Sequence, residues 1–186
     1  TGAALCSNAK LLPPEEGKDR YTVLGDPTEA CLGVVAQKGG IDMDALNQNT
    51  PRVMELPFDS RRKRMTTIHQ LREPFEGTNR IAFVKGAPKE VMELCQRCYD
   101  GTSSRPINDE DRKRIMQAND TYARDGLRVL AVAYRPLRRE DETLPESIRE
   151  YTPENVERDL TFLGLVAMQD PPRSEVKDAV ALCRSA

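Results

Sequence analysis

Lys85 is the side chain whose setting most invites chemistry. It closes the apolar run Ile81-Ala82-Phe83-Val84 and is followed by Gly86-Ala87-Pro88, a small-residue turn leading into a helix. Pro88 suits the first helical position, where no backbone donor is needed and φ is already set. A cation beside the donor-rich start of a helix favours an anion, and phosphate is the commonest biological one. A solvated lysine in an ordinary strand-to-helix turn is the plainer alternative. The basic run Arg61-Arg62-Lys63-Arg64, with Phe58 just before it, is the second concentration of charge. It reads as a solvated hairpin turn or, more sharply, as an aromatic face for a base with cations nearby for phosphates. Direct binding of nucleic acid through this run is the weakest reading, because neither flanking aromatics nor overall charge supports it.

Other chemistries find little footing. No G-x-x-x-x-G-K-[ST] and no G-x-G-x-x-G string occurs, so neither a P-loop nor a dinucleotide fingerprint is present. Cys95 and Cys98 form one C-x-x-C without a second pair, and His69 is the single histidine, which reads as structural. The bland expectation for these two thiols is a helix carrying core or surface cysteines.

The elements that must hold these residues can be read in order. Residues 1–24 look irregular, with a charged loop from Glu15 to Arg20 before a short strand at Tyr21-Thr22-Val23. Asp26-Pro27-Thr28-Glu29 writes a helix start: Asp26 as cap, Pro27 at the first position, and Glu29 placed to complete a capping box. Ala30, Leu32, Val34 and Val35 carry that helix to the Gly39-Gly40 stop. Strands are expected at 52–58, 65–71 and 80–84, then a helix from Pro88 to about Cys98. A long helix at 108–125 is capped by Asn108 or Asp109 and stopped by Gly126. Strands at 127–134 and 161–168 enclose a charged, proline-punctuated excursion, 136–158, with one or two short helices. Closely spaced strands without regular β-α alternation give an α+β fold with a largely antiparallel β-sheet flanked by helices.

Composition sets the frame. The 186 residues are 38% hydrophobic and 31% charged with a net charge of -2, which fits one well-filled domain and argues against a dedicated nucleic-acid binder. No apolar run approaches the ~20 residues of a membrane span. Five cysteines at irregular spacing point to reduced thiols in a cytosolic setting. Thr1 at the start and Arg184-Ser185-Ala186 at the end lead us to expect an excised domain.

Four separated stretches then fall into one order: Gly25-Asp26-Pro27-Thr28-Glu29, Pro57-Phe58-Asp59-Ser60-Arg61-Arg62-Lys63-Arg64-Met65, Lys85-Gly86-Ala87-Pro88 and Asp125-Gly126-Leu127-Arg128-Val129-Leu130-Ala131. A fifth, Asp170-Pro171-Pro172-Arg173, follows near the end. Together they resemble the nucleotide-binding (N) domain of type II P-type cation-transporting ATPases, in particular the calcium pumps, from about residue 5 to 175. The resemblance implies an N domain over 1–170 and the start of a return segment to the phosphorylation domain over 171–186. It also implies ATP as ligand, with Mg2+ held in the parent mainly outside this segment. By motif, Phe58 would stack on adenine, Lys85 would line the adenine pocket, and Glu29 would lie near the adenine amino group. Lys63 and Arg62 would flank base and phosphates, Met65 would add an apolar wall, Gly86 would let the base approach the backbone, and Arg128 would contact phosphates. Lys89 stands where the family usually has Glu, which makes that turn more basic. The family's D-K-T-G-T motif with its phosphorylated aspartate does not occur in the sequence. The implied role is therefore a cytoplasmic domain of an integral membrane pump, holding ATP without catalysis of its own. Its expected partners are the phosphorylation and actuator domains of the parent, with no nucleic acid, no direct membrane contact and a monomeric fragment. An interaction or regulatory module that keeps the fold without the site is the alternative.

Overall fold

A computed structural model describes residues 1–14, 21–169 and 174–185. The expected loop at 15–20 and the Asp170-to-Arg173 motif lie outside the described residues. Where the sequence looked irregular, the chain forms a helical turn, α1 (Gly2–Leu5), and a strand, β1 (Lys10–Leu12), paired antiparallel with β2 (Thr22–Leu24). Helix α2 (Pro27–Lys38) follows, capped by Asp26, whose carboxylate accepts from Thr28 N and Glu29 N. Its inward side is Ala30, Leu32 and Ala36, whereas Val34 and Val35 face solvent. Helix α3 (Met43–Asn49), capped by Asp42, was not anticipated; it buries no residue, so its sequence carries little apolar pattern.

The main sheet then unfolds through β3 (Arg52–Asp59), β4 (Arg64–Phe75) and β5 (Thr78–Gly86) as an antiparallel meander. Helix α4 (Pro88–Glu93) is shorter than expected, because residues from Cys95 onward join the sheet as β6 (Cys95–Tyr99), hairpinned to β7 (Ser104–Pro106). Helix α5 (Asp109–Arg124) carries the full capping box: Asn108 Oδ1 accepts from Asp111 N at 2.8 Å and Asp111 accepts from Asn108 N at 3.3 Å. Strand β8 (Arg128–Pro136) leads into the excursion, which holds a 3-10 turn (Ile148–Glu150) and α6 (Pro153–Val156). Strand β9 (Leu160–Met168) and helix α7 (Ser174–Ser185) complete the described chain.

The seven strands lie in the order β3-β4-β5-β8-β9-β6-β7, and every pairing is antiparallel except β6 with β9. The fold is thus α+β around a largely antiparallel sheet, as the sequence implied. Because side chains alternate along a strand, neighbouring residues serve opposite faces. On one face Met65, Ile81, Phe83 and Tyr134 pack with Leu5 and Cys6. On the other, Leu56, Ile68 and Ala82 meet Tyr151 and Val156, while Val84, Val91, Cys95, Ala131 and Leu160 form a second apolar nucleus. Fully buried side chains such as Ile68 and Val84 contribute about 1.5–3 kcal/mol each.

His69 is a satisfied core residue. Its Nδ1 lies 3.0 Å from the Thr50 carbonyl, which can only accept, so Nδ1 donates and Nε2 accepts from Thr67 Oγ1 at 2.9 Å. Burial holds this imidazole below its ordinary pKa. The C-x-x-C thiols are core groups too, on a strand rather than a helix, and burial pushes Cys95 up to about 12.

Candidate functional site

The end of β5 fixes Lys85. It pairs across the sheet with Met65 on β4 and Val132 on β8, and only 7% of its side chain is exposed. A buried ammonium needs a counter-charge, and the first turn of α2 supplies it: Glu29 Oε1 lies 2.8 Å from Lys85 Nζ. The contact is an ion pair at hydrogen-bonding distance with poor angular geometry, and among the described residues Lys85 Nζ has no other polar partner. Glu29 therefore does not close the expected capping box. Its other oxygen accepts from Asn8 N at 2.5 Å, which ties the α1–β1 link to the same carboxylate.

Thr28, one residue earlier, holds the second cation. Arg128 Nη1 donates to Thr28 Oγ1 at 2.6 Å from the first residue of β8. Consecutive residues of one helical turn thus receive Lys85 from β5 and Arg128 from β8. Met65 is 1% exposed and lies on the same face as Lys85, since the two are register partners on adjacent strands.

Gly86 is demanded by the chain itself. A Cβ there would sit 2.5 Å from the Lys63 carbonyl oxygen and 2.6 Å from Arg64 Cβ, so the space a side chain would take is filled by the β3–β4 turn. That approach lets Ala87 N donate to Lys63 O at 3.0 Å. Lys63 adopts φ +51, and its ammonium pairs with Glu90 Oε1 at 2.6 Å, with 58% of its side chain still exposed. Hydrogen bonding to Glu90 raises the Lys63 pKa, and the same bond lowers that of Glu90. The turn is shaped by Asp59, whose carboxylate accepts from Arg61 N and Arg62 N at 2.9 Å each and is held acidic by them. Phe58, next to Asp59, is 62% exposed, an unusual position for a phenyl ring.

Arg62 goes elsewhere. Its guanidinium binds Glu157, which also receives Arg64 Nε at 2.6 Å and Thr66 Oγ1 at 2.7 Å. Thr66 alternates with Met65, so this cluster occupies the face opposite Lys85. The structure thus gathers Glu29, Met65, Lys85, Gly86 and Lys63 around the end of β5, links Arg128 to them through α2, and places Arg62 apart. Asn8, Thr28, Glu90 and Glu157 were not singled out from the sequence. Each is a polar partner whose role depends on a neighbour more than twenty residues away, and no local pattern signals it.

A wide apolar groove of about 680 Å3 runs along the same sheet face beside α1, lined by residues such as Leu71, Phe75, Ile81, Phe83 and Tyr134. None of the eight candidate residues lines it. Among the described residues no group of three or more His, Cys, Asp or Glu could hold a metal ion, and no helix is long and apolar enough to cross a membrane.

The family model described as "P-type ATPase, cytoplasmic domain N" matches residues 1–175. The chain belongs to this family. Among curated relatives, the "Calcium-transporting ATPase" of Bacillus subtilis is 36% identical over 185 residues, 98% of this chain. "Calcium-transporting ATPase 1" of Lactococcus lactis is 35% identical over 182 residues, also 98% of this chain. "Probable cation-transporting ATPase F" of Mycobacterium bovis is 33% identical over 186 residues, 99% of this chain. This N domain spans only 19% of each of these relatives.

Proposed function

We propose that this N domain binds ATP and, within a calcium-transporting P-type pump, presents the γ-phosphate to an aspartate outside the chain, with the phosphorylation and actuator domains as its partners. The observation that carries this reading is Lys85, a nearly buried ammonium at the end of β5 whose polar contact among the described residues is the single carboxylate of Glu29. A group in that state has donors to offer a ligand, and Glu29 beside it can accept from an exocyclic amino group. Phe58 supplies the exposed ring on which adenine stacks, at roughly 1–3 kcal/mol per base. Met65 closes the pocket wall behind Lys85. Lys63 and Arg128, both solvent-accessible, answer the phosphates, and Arg128 exchanges its Thr28 contact for them. Gly86 acts by keeping the Lys63 turn against β5 rather than by making room for the base. Arg62 is left out, because its guanidinium is committed to Glu157. Residues 1–170 form the binding domain and 171–186 begin the return to the phosphorylation domain.

An open site with exposed phosphate contacts binds weakly, with Kd on the order of 0.1–5 mM. The test is an NMR titration of the labelled chain with ATP, alongside Phe58→Ala and Arg128→Ala. Shifts at Phe58, Lys63, Lys85 and Arg128 that saturate near millimolar and vanish in Phe58→Ala support the reading; Arg128→Ala weakens ATP but leaves adenosine unchanged. Absence of shifts up to about 20 mM ATP refutes it and leaves a fold kept for interaction alone.

A further inference from the structure

Lys63 has a partner that the ligand-binding reading does not use. Of the four cations in the 61–64 run, Arg62 and Arg64 are committed to Glu157, with only 20% and 16% of their side chains exposed. Lys63 and Arg61 remain accessible, and of these two it is Lys63 that is bonded to the Lys85–Gly86–Ala87 segment, through its carbonyl and Ala87 N. Its ammonium nevertheless lies on the Glu90 carboxylate at 2.6 Å. Both backbones are fixed before the pair forms: Gly86 admits the Lys63–Arg64 chain, and Ala87 starts the helix that carries Glu90 in its first turn. Pre-positioning removes part of the entropy cost that weakens most surface ion pairs.

We propose that Glu90 is a specificity-determining residue of this site, a built-in carboxylate that occupies Lys63 until a polyphosphate displaces it. The proposal rests on the ATP-binding reading above. A nucleoside carries no charge with which to compete for Lys63, and it gains nothing from releasing the pair. A triphosphate gains the ammonium only by displacing Glu90 from it. Glu90 therefore lowers affinity in proportion to the charge of the ligand's tail and leaves the base unaffected. Neutralising it strengthens phosphate binding and spares base recognition, the opposite of what loss of a structural contact would do.

The experiment compares ATP, ADP and adenosine binding to the 186-residue chain, its E90Q and K63M variants and the double variant, at low and moderate salt. Expected are an ATP affinity about two- to fivefold tighter in E90Q, the span an ion pair of this exposure can produce, a smaller gain for ADP and none for adenosine. The gain should shrink with added salt and disappear when E90Q is made in the K63M background, as a coupled pair requires. Unchanged or weaker ATP binding in E90Q, an equal gain for adenosine, or a gain that persists with K63M overturns the proposal while leaving ATP binding intact. A wild-type chain that binds neither ATP nor adenosine overturns both.

Discussion

Glu157→Gln is the substitution that most directly tests how the basic run is partitioned. The wild-type carboxylate is fully buried and receives two guanidinium groups and the Thr66 hydroxyl. The amide keeps the size and one acceptor oxygen, but it removes the charge facing Arg62 and Arg64 and presents an amino group to donors. Removing one member of a buried ion pair costs roughly 3–5 kcal/mol, and a hydrogen bond to a charged group is worth about 1.5–3 kcal/mol. Both arginines keep some solvent access, at 20% and 16%, and rehydration recovers part of the loss. The net cost should be about 3 kcal/mol. For a chain of this size that lowers Tm by about 6–12 °C and shifts the urea midpoint with an unchanged slope. Raising salt to 1 M should leave most of the difference in place, since buried pairs are poorly screened. A loss below about 1 kcal/mol, the range of exposed pairs, would refute the assignment of Arg62 and Arg64 to the scaffold and return them to the surface.

Two further outcomes follow from the same geometry. Stability should be full above the unfolded imidazole value of about 6.5 and fall as pH drops through it toward the lower folded value of His69; His69→Gln should flatten that part of the pH-stability profile, and an unaltered slope would show that His69 is not its source. Gly86→Ala should cost about 2 kcal/mol in urea unfolding, in the range of overpacking, because its Cβ meets backbone at Lys63 that cannot swing aside; a neutral effect would mean the turn yields freely.

Local signals carried much of this fold. Asn108 and Gly126 bracket α5 with caps that act through hydrogen bonds a few residues apart, and the runs at 52–58, 65–71 and 80–84 sit inside β3, β4 and β5. The helix expected to run to Cys98 failed for a definable reason. Cys95 and Cys98, three apart, are both buried on β6, because the register shifts between Cys95 and Arg97 where the strand meets β9. Such an irregularity turns a period of two into an apparent helical spacing. The candidate site was legible in its placement where motif and local chemistry coincided, as with Lys85 and Gly86 at the end of a strand that turns into a helix. It was illegible where a side chain's partner is distant. The sequence makes Arg62 and Lys63 look alike, and only the fold sends one to Glu157 and the other to Glu90.

The parallel contact of β6 against β9, the one such pairing among the described residues, imposes an order of assembly. Strands β3, β4, β5 and β8 can zip together as they appear, each against a neighbour already made. Residues 95–99 pair with 104–106 on one edge but have no neighbour on the other until 160–168 arrive, so during synthesis one side of the β6–β7 hairpin waits with open backbone groups and two thiols destined for the interior. Strand β9 is thus the keystone that joins the meander to its detached hairpin, and cooperative completion of the domain is deferred to its last strand.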